Sequence, residues 1–197
     1  VPRAKLAATL LLTAPGVPFI YYGEEIGMLG KKPDENLRTP MQWSAEAQGG
    51  FTTSNFPWRG LNSDYANKNV AAQQANPESL WAAYRNLIRL RAEHAALRVG
   101  ETYVLDVGKS DTLVAMLRAT DDEAVLIVVN LGKKAISDYA LTLDNGPLFG
   151  QYQIVPLLGA GDFAAPTVTA SGGFTDYQPA PELPATSAFI LQLQPKP

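Results

Sequence analysis

The sequence predicts a mainly β chain, in which a helix-strand-helix piece of an α/β domain is followed by an antiparallel β-sandwich. Three observations lead there. An Ala/Leu-rich stretch stops at Pro15-Gly16 and gives way to VPFIYYG, whose β-branched and aromatic residues, without polar alternation, suit a strand buried on both faces. A second helical pattern follows a long irregular stretch. Beyond Gly100 short β-rich runs alternate with turn residues.

Each element has its own justification. Residues 3–13, RAKLAATLLLT, form a helix that Pro15 and Gly16 terminate. Residues 17–22 are the buried-type strand. Residues 27–76, rich in Gly, Pro, Asn and Ser, make a loop of a length that is rarely idle. Asn76 as N-cap, Pro77 at the first helical position and Glu78 in the first turn start a helix over 77–97. Leu80, Trp81, Tyr84, Leu87 and Ile88 share one face of it, and Arg85, Arg89 and Glu93 another. ETYVLDV, TLVAMLR, AVLIVVN and YALTL read as strands, SAFILQL (187–193) as the closing strand, and Gly159 to Pro184 as loops. The division is therefore 1–98, an α/β remnant, and 99–197, all-β. A single helix-strand-helix piece cannot close a sheet, so its strand calls for neighbours the chain does not contain.

Composition excludes several functions. The 197 residues carry a net charge of -3 and are 46% hydrophobic and 18% charged, which leaves no basic field for nucleic acid. No cysteine is present, so disulfides, thiolate nucleophiles and Cys-based zinc sites are excluded, and the compartment stays undecided. The longest apolar stretch, Leu6 to Phe19, is too short for a membrane span and is broken by Pro15, Gly16 and Pro18. The absence of an initiator Met and of a secretory cleavage pattern suggests that Val1 is a cut inside a longer protein.

Glu24 and Glu25 sit where an acid/base pair would be conspicuous. Adjacent strand residues point to opposite faces, whereas a retaining glycosidase needs two carboxyl groups about 5 Å apart across its substrate. The pair is read as a strand end tied to backbone N–H groups or basic neighbours.

GVPFIYYGEEIGM, KKPDENLRTPMQW, GFTTSNFPW and NVAAQQANPESLWAAYRNLIRLRAEHAAL together resemble the last part of an enzyme of the α-amylase superfamily, glycoside hydrolase family 13. The resemblance covers residues 1 to about 100 and is nearest the branch with oligo-1,6-glucosidases, trehalose synthases and maltodextrin-acting amylases. It implies that 3–13 is the seventh helix of a (β/α)8 barrel, 17–22 the eighth strand and 77–97 the eighth helix. The β unit resembles the family's C-terminal domain only in placement and length.

By the same resemblance, the catalytic Asp nucleophile, Glu acid/base and stabilising Asp precede Val1, so no catalytic residue is assigned here and the chain alone is expected to be inactive. Arg38, in NLRTPMQW, matches an arginine near the pocket mouth and is the one substrate-binding candidate; the alternative is a tie to Asp34 or Glu35. Trp43, Phe51, Phe56 and Trp58 are expected to pin the loop to its scaffold rather than to stack on sugars. Asp34, Glu35 and Asn36 lack calcium-loop spacing, His94 lacks partners at useful spacing, and neither a metal nor a cofactor is assigned. The implied partner is an α-glucan or oligosaccharide, with starch or maltodextrin-type substrates for the whole enzyme. Self-association of the barrel remnant, or disorder before about residue 76, is also expected. The rival functions are a carbohydrate-binding module in 100–197, with Tyr103, Tyr139, Tyr152 and Tyr177 as platform candidates, and a purely structural sandwich, which ranks higher.

Overall fold

The computed structural model describes residues 2–196. Helix α1 (Pro2–Thr13) comes first, then an irregular stretch holding three 3-10 turns, and then the short α2 (Val70–Gln74). Helices α3 (Leu80–Glu93) and α4 (Ala95–Val99) lead into seven strands: β1 (Glu101–Val104), β2 (Leu113–Ala119), β3 (Ala124–Asn130), β4 (Leu141–Leu143), β5 (Tyr152–Leu158), β6 (Phe174–Tyr177) and β7 (Ser187–Pro195). They pair antiparallel into a five-stranded sheet, ordered β1-β2-β3-β7-β5, and a two-stranded sheet of β4 and β6.

β3 is the centre of the molecule, and all seven of its residues are buried. Its side chains alternate between two cores, as the pleat requires. Leu126 and Val128 face a core shared with Leu117, Leu191 and the β4–β6 layer, where Leu141, Leu143, Phe174 and Tyr177 sit. Val125, Ile127 and Val129 face the other core, made with Leu6 and Leu12 of α1, Tyr84, Leu87 and Leu90 of α3, and Leu97 of α4. A strand covered on both faces has no polar positions to spare, which is why AVLIVVN reads as a continuous apolar run.

The second helical segment is split and shifted from its expected span. Ser79, not Asn76, is the N-cap of α3: its hydroxyl accepts from Ala82 N at 3.0 Å, while Asn76 Oδ1 accepts from Glu78 N at 2.9 Å in the preceding turn. His94 takes an extended conformation and breaks the helix into α3 and α4. Its Nδ1 lies 2.5 Å from Glu123 Oε1, and Glu123 Oε2 accepts from Ala96 N at 2.9 Å, so the β2–β3 turn holds the start of α4. His94 has a structural partner at this joint.

Residues 17–22 form no ladder with any described strand. They run between α1 and the first 3-10 turn with Val17 and Phe19 79% and 84% exposed. The strand expected there is replaced by an unpaired segment, because a strand needs a neighbour's backbone and no described strand lies beside it. β5 and β6 were not anticipated. Pro156 disguises β5, and such a proline is tolerated because β5 is an edge strand with a register shift at Pro156/Leu158.

Two buried arginines join the helices to the sheet. Arg91 of α3 donates from Nη1 to Leu12 O at 2.9 Å and Ala14 O at 3.0 Å, and from Nη2 to Gly16 O. Arg118 of β2, 1% exposed, donates to Thr13 O and Gly100 O, each at 2.8 Å. Together they satisfy the orphan carbonyls at the C-terminus of α1, the end whose dipole favours a cation. Burial pulls both guanidinium groups below the ordinary arginine value, and the Arg91 charge adds to this at Arg118.

Of the four platform tyrosines, Tyr139, Tyr152 and Tyr177 are buried in the core between the two sheets, so they form no exposed sugar-binding surface. The Tyr139 hydroxyl donates to Ala180 O and the Tyr177 hydroxyl to Ala164 O. Burial raises both phenols, and the Tyr139 charge raises Tyr177 further. Because the folded-state value is raised, the stabilisation is complete below the unfolded tyrosine value near 10 and is lost as pH climbs above it. In an alkaline titration followed at 295 nm, Tyr139 and Tyr177 should ionise only with the loss of near-UV circular dichroism. Ionisation of all 8 tyrosines with that signal intact would refute the expectation.

Candidate functional site

The site is built from the irregular stretch after α1. Gly23 and Gly27, with φ of 87° and 69°, bracket a 3-10 turn at Glu24–Ile26. These left-handed conformations suit glycine, and a Cβ on Gly23 would meet the Met28 sulfur at 2.5 Å. The turn gives the two carboxylates different surroundings. Glu24 Oε1 accepts from the Tyr84 hydroxyl at 3.0 Å, which ties the turn to α3. Burial, and then this bond, raise the Tyr84 phenol. Glu25 Oε2 is buried without a hydrogen-bond partner. The pair lies in a 3-10 turn rather than at a strand end, and both charges act on the Tyr84 phenol.

Ile26 anchors this turn in a small separate core with Met41 and Val70. Around it the RTPMQW motif does structural work: Thr39, Met41 and Gln42 are all buried, Gln42 completely. Gln42 Nε2 donates to Lys68 O, and Asn62 Nδ2 donates to Gln42 Oε1 at 3.2 Å, Thr39 Oγ1 at 3.2 Å and Leu29 O at 3.1 Å. Lys68 pairs with Asp64 at 2.8 Å and donates to Gly27 O at 3.2 Å. Val70 N and Ala71 N donate to Gln42 O and Trp43 O, so the motif meets the start of α2. Polar side chains bonded to backbone, not aromatic rings, hold the loop.

The aromatic rings are accordingly free of the role expected for them. Trp43 and Phe51 are each 50% exposed, Trp58 72% and Phe56 92%. The guanidinium of Arg59 lies 5.5 Å from the Trp58 ring centroid.

Arg38 follows the 3-10 turn Asp34–Leu37, and its side chain is 61% exposed. Its one ion pair, Nη2 to Asp34 Oδ2 at 3.8 Å, joins two exposed groups, and such pairs contribute little. Arg38 lines two adjoining clefts. One, of about 430 Å³, brings it together with Tyr22, Glu25, Trp43, Phe51 and Trp58. The other, of about 340 Å³, adds Tyr21, Glu24 and Leu37. The Tyr22 hydroxyl donates to Thr39 O at 3.1 Å and fixes the wall between them. Burial raises the Tyr22 phenol, with the Tyr21 charge adding to it and Arg38 opposing. Asp34 is occupied by Arg38, and among the described residues no three His, Asp or Glu side chains gather as a metal site. His94 lies apart, at the α3–α4 joint.

The cleft can therefore offer a cation, a carboxylate and aromatic faces to a neutral, hydroxyl-rich ligand. Glu25 was missed as a cleft residue because its neighbour shares its chemistry, and only the turn tells them apart.

Comparison with known proteins agrees with this geometry. The model of the alpha-amylase catalytic domain matches residues 1–100. An oligo-1,6-glucosidase of Heyndrickxia coagulans is 32% identical over 171 residues, covering 68% of this chain and 30% of that protein. The amino acid transporter heavy chain SLC3A1 of Rattus norvegicus is 35% identical over 136 residues, covering 64% and 20%. A solved trehalose-6-phosphate hydrolase of Bacillus licheniformis superposes with a TM-score of 0.73 over 98% of this chain and 39% of that one; at 23% identity the likeness is of fold. The chain spans between a quarter and a third of the length of the first curated relatives it matches. With the catalytic-domain match over its first hundred residues, and the RTPMQW loop and its cleft lying within that match, the chain belongs to the alpha-amylase family, glycoside hydrolase family 13.

Proposed function

We propose that residues 1–98 are the closing part of the catalytic (β/α)8 barrel of a retaining α-glucan or α-glucoside hydrolase, and that 99–197 is its C-terminal β-sandwich domain. The observation that carries this is the open cleft beside Arg38, inside the family match and next to the unpaired segment 17–22. In the whole enzyme an Asp attacks the anomeric carbon and a Glu acts first as acid and then as base, with starch or maltodextrin-type substrates. In that reading the present chain supplies binding, not chemistry, with Glu24 held by the Tyr84 hydroxyl. A structural role for the β unit accompanies it, favoured over sugar binding by the burial of Tyr139, Tyr152 and Tyr177.

The purified chain should release no reducing sugar from starch, maltotriose or isomaltose, and light scattering on the same sample should show self-association through 17–22. Turnover above a mock-purified control would overturn the assignment of chemistry elsewhere; a strict monomer would overturn the association.

Arg38 supplies hydrogen bonds to sugar hydroxyls from an exposed guanidinium. A hydrogen bond to a charged group contributes about 1.5 to 3 kcal/mol. Arg38→Ala in a family enzyme carrying this segment should lower kcat/KM for short oligosaccharides roughly ten- to a hundredfold, with melting nearly unchanged. A lowered melting temperature with unaltered kcat/KM would make Arg38 a loop tie to Asp34 instead.

A further inference from the structure

We infer that Asn145 is a self-modification site: its side-chain amide is lost to attack by the backbone nitrogen of Gly146, in a reaction that the closed β4–β6 layer holds back and that, once complete, prevents the layer from closing again. The pair is the single Asn-Gly step in the sequence, and it lies outside both the Arg38 clefts and the alpha-amylase match.

Asn145 is exposed in the turn after β4, so water and hydroxide reach its amide. Gly146 has no Cβ to shield the attacking nitrogen, and none fits, since a Cβ there would lie 2.6 Å from Gly172 O. In the first step the Gly146 nitrogen gives up its proton and bonds to Asn145 Cγ. The bond from Cγ to Nδ2 breaks, Nδ2 takes up a proton and leaves as ammonia, and a cyclic imide remains. Water then opens the imide at either carbonyl. One opening gives aspartate; the other gives isoaspartate, whose main chain runs through the side-chain carboxyl and is one carbon longer. The fold restrains the first step. Gly146 N donates to Ser171 O at 3.1 Å, Leu148 N to Gly172 O at 3.0 Å, and the Ser171 hydroxyl to Asp144 O at 2.5 Å. These bonds clip the turn to residues 169–173 and engage the nitrogen that must attack, so the reaction proceeds from states in which the layer has opened. Isoaspartate cannot return to the clip, because its extra main-chain carbon would have to fit where Gly146 and Gly172 already meet.

The test incubates the 197-residue chain at mildly alkaline pH and follows the peptide around Asn145 by chromatography and mass spectrometry. Two product peptides of equal mass should accumulate, each with a hydroxyl in place of the amide, and Asn145→Gln should give neither. Ser171→Ala removes one bond of the clip from an exposed side chain. It should speed the loss of Asn145 about two- to tenfold, and hydrogen exchange at the Gly146 and Leu148 amides by the same factor. Asn62, followed by Ser63 but held through its side-chain amide by Leu29 O, Thr39 Oγ1 and Gln42 Oε1, should stay intact over the same period. The purified isoaspartate form should melt below the parent, whereas Asn145→Asp, which adds the charge without lengthening the chain, should melt close to it. An Asn145 still intact in the folded chain after a sample in urea has reacted completely would overturn the site. An unchanged rate in Ser171→Ala would overturn the gating by the layer, and an isoaspartate form as stable as the parent would overturn the block on closing.

Discussion

Replacing Arg118 by alanine should destabilise the chain by about 3 kcal/mol, placing it among the most damaging single substitutions available. The estimate rests on what the side chain leaves behind. Thr13 O, in a buried bond, and Gly100 O, in a partly buried one, lose charged donors at 2.8 Å, and a buried acceptor left unpaired costs about 1 to 3 kcal/mol. The space vacated by a side chain that is 1% exposed adds a cavity term. Against this, the substitution relieves the desolvation of a buried charge and its repulsion of Arg91, which holds the total below the simple sum. For a chain of this size the melting temperature should fall by about 6–12 °C. Arg118→Met, which restores most of the volume but no donor, should cost nearly as much. If Met rescues stability, packing rather than the helix-end carbonyls carries the effect; a loss below about 1 kcal/mol in both would show that water replaces the guanidinium.

The second large effect belongs to the opposite face of the sheet. Phe174 is fully buried and meets Tyr177 edge to face, with centroids 5.1 Å apart at 73°. Phe174→Ala should cost about 3 to 5 kcal/mol in transfer and cavity energy, plus about 0.5 to 1.5 kcal/mol for the aromatic pair. Relaxation is restricted because the backbone is already at its closest approach: a Cβ on Gly173 would lie 1.8 Å from Leu143 O. The β4–β6 layer is held by its short ladder, the bridge between Thr142 and Asp106, the Tyr177 hydroxyl bond to Ala164 O and this core. Urea unfolding should show the full loss, and near-UV circular dichroism should weaken before far-UV signal does. A cost under about 2 kcal/mol would mean that the layer collapses around the gap.

Much of the architecture was legible in sequence because periodicity reports burial. AVLIVVN, TLVAMLR and SAFILQL became β3, β2 and β7, the strands with the most continuous apolar content. The short β6 escaped notice: it is flanked by Gly172-Gly173 and interrupted by Asp176 at φ 50°, so it carries turn chemistry inside a strand. The segment 17–22 has strand composition, yet composition expresses a propensity that only a neighbouring backbone can realise. Asn76 looked like the cap because Pro77 followed it, but the hydroxyl of Ser79 also donates to Gln73 O at 2.7 Å, which places the cap against α2. The buried arginines were invisible for a general reason: a long charged side chain reads as surface until its carbonyl partners are assembled in space. For the cleft, the position of Arg38 was readable from its motif, whereas the exposure of Trp58 and the orphaned oxygen of Glu25 depend on how the loop is held.

The double-sided burial of β3 has an evolutionary consequence. Helices α1, α3 and α4 fall within the alpha-amylase match, while the sheet they cover lies wholly beyond it. The end of the catalytic-domain match thus runs through one hydrophobic core rather than between two. A recombination event that joined this β unit to another ancestor's helices at residue 100 would bring Val125, Ile127, Val129 and Ile190 against unfamiliar partners, and would strand Arg118 without the carbonyl of Thr13. Lineages exchanging such tails would have to carry the covering helices along, so inheritance in this region should be by the whole block.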